Sequence, residues 1–93
     1  MSDFTRWSQW FECGLEMIGH KTNAMAVMAW IAAHASSDGS GIEFNPEVWL
    51  SLADEIGLTP EEGKAAVDAL IGEGLLAAVG QETRDLFVVR AVL

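Results

Sequence analysis

The stretch from Asn45 to Leu76, NPEVWLSLADEIGLTPEEGKAAVDALIGEGLL, leaves the chain little choice of local structure. Asn45 suits an N-cap, and Pro46 suits the first helical position, where no backbone N–H is needed. Trp49, Leu52, Ala53 and Ile56 recur at i, i+3, i+4 and i+7, which places one apolar stripe on a helix. Gly57 follows as a residue free to take positive φ, with Leu58 positioned to fold back on the stripe. Thr59 then caps a second helix, Pro60 opens it, and Glu62 completes a capping box. Val67, Leu70 and Ile71 continue the helical period, and Gly74 ends it before Leu75 and Leu76. Two helices joined by so short a turn make a helix-turn-helix.

The remaining segments fit around that pair. Residues 3–18 form a helix with Phe4, Trp7, Phe11, Leu15 and Ile18 as its main stripe, widened by Trp10, Gly14 and Met17. A further helix runs from about Asn23 to His34 or Ala35, capped by Thr22 or Asn23. Ala24, Val27, Met28, Ile31 and Ala35 make its core face, but Ala26, Ala29, Trp30 and Ala33 stand opposite where charges are usual. A helix apolar all round is expected to be buried on all sides. The first helix is the expected cover, or else a second copy, and Trp30 and His34 are therefore candidate interface residues. Ser36 to Gly41 reads as a loop, and Ile42-Glu43-Phe44 as a very short strand. Leu75 to Val79 and Leu86 to Val92 read as a β-hairpin around a loop from Gly80 to Asp85. The expected fold is a single domain over 1–93, mainly α with a small β-hairpin.

Charge narrows the function. Of 93 residues, 14 are acidic and 5 basic, a net charge of −9. Phosphate binding works by replacing counterions with Lys and Arg, so this balance disfavours nucleic acid. The lone Cys13 cannot close an intrachain disulfide, which points to a reducing, cytoplasmic compartment. No basic region followed by an apolar core is read at the N-terminus, so no signal peptide is expected. The longest charge-free apolar run, Ala24 to Ala35, has 12 residues, against about 20 for a membrane span.

No catalytic constellation is expected, nor a cofactor. Gly39-Ser40-Gly41 lacks the lysine of a phosphate-binding loop. His20 and His34 have no Cys or carboxylate at ligand spacing. Asp54-Glu55 and Glu61-Glu62 are neighbours in sequence that diverge around a helix. Cys13 lies near Glu12 and Glu16, which discourage its thiolate.

The order of elements, with the runs LADEIGLTP and VDALIGEGLL, resembles the winged helix-turn-helix superfamily over about Thr22 to Val92. More narrowly, it looks like winged modules of small bacterial regulators and of phage replication or regulatory proteins. Leu52, Ala53, Ile56, Gly57 and Leu58 match the positions that pack and end the first motif helix. Val67, Leu70, Gly74 and Leu75 match the end of the recognition helix. The resemblance implies a winged fold with an extra N-terminal helix. In DNA-reading members, the outer face of the second motif helix enters the major groove and the wing touches the backbone. Here that face would be Glu61, Glu62, Lys64, Ala65, Asp68 and Ala69, and the wing tip Gln81 to Asp85. From Asn45 to Asp85 nine acids face two bases, Lys64 and Arg84, so this stretch holds −7 of the net −9. One carboxylate can accept from cytosine in a groove, but several cannot be tolerated against phosphates.

The sequence therefore predicts a non-catalytic protein-binding module whose acidic helix-turn-helix meets another protein's basic surface. Asp54, Glu55, Glu61, Glu62 and Asp68 are the expected contact residues. In size and charge it is similar to phage-encoded inhibitors and nucleic-acid mimics, anti-CRISPR proteins among them. A DNA-binding regulator or replication module, and a structural homodimer joined through the second helix, are the alternatives.

Overall fold

The computed structural model describes residues 3–19, 21–81 and 86–93. They form α1 (Asp3–Met17), α2 (Thr22–His34), β1 (Ile42–Phe44), α3 (Pro46–Ile56), α4 (Pro60–Gly72), β2 (Leu76–Gln81) and β3 (Phe87–Ala91). Caps set the motif helices where their sequence places them. Asn45 Oδ1 accepts from the Val48 N–H at 2.9 Å, and Gly57 ends α3 at φ 74°. At the end of α4, Gly74 takes φ 79°, so the N–H groups of Gly74 and Leu75 reach back to the carbonyls of Ile71 and Leu70. These bonds satisfy carbonyls that a helix terminus otherwise leaves open.

The strands make one antiparallel sheet in the order β1-β3-β2. β1 thus adds a third strand to the expected hairpin, pairing Ile42 with Val89 and Phe44 with Phe87. On β3, Phe87, Val89 and Ala91 point into the core while Val88 and Arg90 face out. The second strand departs from expectation. It begins at Leu76 and runs through Gly80 and Gln81, with a register shift between Ala78 and Gly80 that lets the glycine stay in the ladder. The expected loop residues Glu82, Thr83, Arg84 and Asp85 lie outside the described residues, as does His20.

The core holds Trp49, Leu52, Val67, Leu70 and Leu75 as the periodicity requires, while Ile56 and Ile71 are half-buried at its margin. Its centre is an aromatic cluster on Phe44, which is fully buried. Phe44 stacks on Trp49 at 4.6 Å between centroids and meets Phe87 at 5.3 Å and Trp30 at 5.8 Å. Such pairs add about 0.5–1.5 kcal/mol each beyond their burial.

α1 packs on a different line from the one its stripe suggests. Trp10, Gly14 and Ile18 are buried, Trp7, Phe11 and Leu15 are half-buried, and Met17 is 48% exposed. A Cβ on Gly14 would overlap Met28 Cε and fall 3.2 Å from both Leu75 methyls, so the helix rolls onto the side without a side chain. The same roll lets Trp10 Nε1–H donate to the Leu75 carbonyl at 2.9 Å in the interior.

α2 corrects two expectations. It starts at Thr22, with Lys21 as N-cap and no side-chain capping bond. Its inner face is the expected Ala24, Val27, Met28 and Ile31, but its outer face is not buried: Ala29, Ala32 and Ala33 are exposed. Within one chain α1 therefore does not cover this face, and its alanine methyls expose little apolar area. Trp30 is half-buried, and its cover comes from β1 and α3 through Phe44 and Glu55.

Candidate functional site

The five acids expected to form one face leave α3 and α4 in different directions. Asp54, Glu55, Glu61, Glu62 and Asp68 are all exposed. Two of them, however, are turned toward α2. Glu62 Oε1 accepts from the Thr59 N–H at 3.1 Å while Thr59 Oγ1 accepts from the Glu62 N–H at 3.2 Å, the reciprocal box that the spacing calls for. Its second oxygen, Oε2, accepts from Asn23 Nδ2 at 3.4 Å. The Thr59 N–H and hydroxyl, then Asn23, hold the Glu62 carboxyl below the ordinary carboxylate range.

Glu55 makes the second bridge to α2. Its Oε2 accepts from Trp30 Nε1–H at 2.6 Å and lies 4.0 Å from His34 Nε2. The Trp30 and His34 rings lie 4.3 Å apart, one helical turn from each other on α2. Trp30, His34 and Glu55 therefore form one cluster joining α2 to α3. The sequence names all three without placing them together.

Asp54, Glu61 and Asp68 remain on the outward side. On α4 the exposed outward positions are Glu61, Ala65, Asp68 and Gly72, whereas Gly63, Ala66, Val67 and Leu70 face the core. Lys64, the cation of this helix, does not stand outward with them. Its side chain is 13% exposed, its Nζ lies 5.9 Å from the Trp49 ring centre, and Glu61 Oε1 is 3.8 Å away. The (i, i+3) spacing of Glu61 and Lys64 is legible in the sequence, but the inward lean onto Trp49 is not.

Two depressions flank α4. One, of about 560 Å³, lies between the start of α2 and α4 beside Lys21, Asn23, Glu62, Ala65 and Ala69. The other, about 200 Å³, lies between α4 and β2 beside Lys64, Asp68, Ile71 and Gln81. Elsewhere, Asp38 Oδ1 accepts from Ser40 Oγ at 2.6 Å and from its N–H at 3.0 Å. The Ser40 hydroxyl, then its N–H, lowers the Asp38 pKa. That acid closes its own loop.

Among the described residues, no three His, Cys, Asp or Glu side chains converge as a metal site, and no helix is long and apolar enough to cross a membrane. Comparison with family models, with curated proteins and with solved structures gives no match.

Proposed function

We propose that this chain is a non-catalytic protein-binding module of winged helix-turn-helix type, whose acidic α3–α4 face docks on a basic surface of another protein. Helix, strand, helix, turn, helix and hairpin in that order, with β1 beside β3, support the winged reading. The observation that carries the function is the outward line of α4. Glu61 and Asp68 stand on it with Ala65 between them, while Lys64 leans onto Trp49 and stays beside Glu61, 3.8 Å away. A helix entering a DNA groove needs cations that release counterions, and this one presents carboxylates instead.

A surface of this kind suits a site where Lys and Arg of the partner ordinarily hold nucleic acid, in the manner of a nucleic-acid mimic or phage-type inhibitor. Long-range attraction then speeds association and is screened by salt, with a Debye length of about 8 Å at physiological ionic strength. Glu55 and Glu62 are engaged with α2, and Asp54, Glu61 and Asp68 carry the outward charge, that of Glu61 shared with Lys64 Nζ 3.8 Å away.

The test is capture from bacterial lysate by wild type and by Asp54→Lys/Glu61→Lys/Asp68→Lys, at low and high salt, with excess duplex DNA as competitor. The proposal expects basic proteins that wild type captures at low salt, that DNA displaces and that the variant loses. Identical capture by both would rule out this face as the contact.

A further inference from the structure

A second surface lies on α1 and α2, away from the outward line of α4. Trp7, Phe11 and Ala32 border a groove of about 290 Å³ between the two helices. Beside it the exposed Ala29 and Ala33 continue an apolar strip across α2 to the half-buried Trp30. Thr22–His34 contains no Asp, Glu, Lys or Arg, so nothing charged interrupts the strip.

Carboxylates stand at both margins of the strip, and on the Trp30 side Glu55 stands beside His34. Glu12 borders the groove on α1, and Glu16, one turn further on, is exposed on the same side. Across α2, Glu55 is half-exposed beside Trp30. Arg6 borders a different groove, beside Trp10, Cys13 and Leu75. An apolar floor between carboxylate margins is complementary to an apolar stripe between cationic flanks. We infer that the α1–α2 face docks a cationic amphipathic helix of a partner protein. Its apolar residues would lie on Phe11, Ala29, Ala32 and Ala33, and its flanking Lys or Arg would meet Glu12 and Glu16 on one side and Glu55 on the other. The exposed alanines suit this mode, because small side chains let a helix backbone approach closely. A second copy suits the face poorly, since each copy carries −9 and would set these same carboxylates against each other. This inference does not rest on the α3–α4 reading.

The probe is a labelled peptide of about four helical turns, with Leu at i, i+3, i+4 and i+7 and Lys on both flanks, titrated against the full chain by anisotropy. A peptide with Glu in place of Lys is the control. The expected result is binding of the Lys peptide alone, weakened at least about tenfold by Ala29→Arg/Ala33→Arg, which closes the centre of the contact. Glu12→Lys/Glu16→Lys should weaken it several-fold, and Asp54→Lys/Glu61→Lys/Asp68→Lys should leave it within about twofold, the range expected of charges outside the contact. Absence of binding would overturn the inference. So would binding that the α3–α4 reversal weakens as much as Glu12→Lys/Glu16→Lys does, since that is attraction to net charge. Sedimentation of the protein alone supplies the last arm: a wild-type dimer that Ala29→Arg separates would give the face to a second copy and overturn the proposal.

Discussion

Glu62 accepts from the Thr59 N–H and from Asn23, and both bonds favour its ionised form. A carboxyl whose pKa is depressed by folding contributes stability above its ordinary range, and that contribution is lost as pH falls through the folded-state value. Glu62→Gln should therefore lower Tm at neutral pH, with the gap to wild type closing toward about pH 3, below the ordinary carboxylate range. Thermal melts across that range check this. A gap that stays constant would mean that the side chain's shape, not its charge, stabilises the box. Leu70 is a sterner case, because its side chain is fully buried. Leu70→Ala should cost about 2–5 kcal/mol in urea unfolding, from lost transfer and a residual cavity. A loss under about half a kcal/mol would contradict the packing of α4, since burial of this kind does not come so cheaply.

At the scale of elements, the helix ends differ in how well they are capped. Asn45→Ala removes the α3 cap and should cost about 1 kcal/mol. α2 begins at an extended Lys21 with no side-chain cap, so Lys21→Ser should stabilise by about 0.5–1 kcal/mol in the same assay. Unchanged stability would show that the start of α2 is satisfied in another way. The local signals in Asn45, Gly57, Thr59, Glu62 and Gly74 are all read directly from sequence, because each acts within a few residues of itself. What was not legible depends on distant partners. The roll of α1 follows from Gly14 against Met28 and from Trp10 finding a carbonyl 65 residues away. β1 gains its place by pairing with β3, and no local pattern in Ile42-Glu43-Phe44 names that partner. The outer face of α2 misled for another reason: periodicity tells which residues are apolar, not how much area they present, and alanine presents little. Of the candidate site, the acids were legible one by one, but their directions were not. Glu55 and Glu62 turn to α2 through partners 25 and 39 residues off.

At the scale of the molecule, the net charge of −9 is unevenly placed. The α4 face carries outward acids with its lysine drawn in, and α2 carries no Asp, Glu, Lys or Arg at all. That the outward positions of α4 hold acids and no cation is the central physical statement about this chain. It is tested most directly by titrating the protein into labelled duplex DNA at about 100 mM salt and following anisotropy, where the electrostatic share of any binding is still large. The account predicts no rise in anisotropy up to the highest soluble concentrations. Micromolar binding that weakens as salt is raised would contradict it.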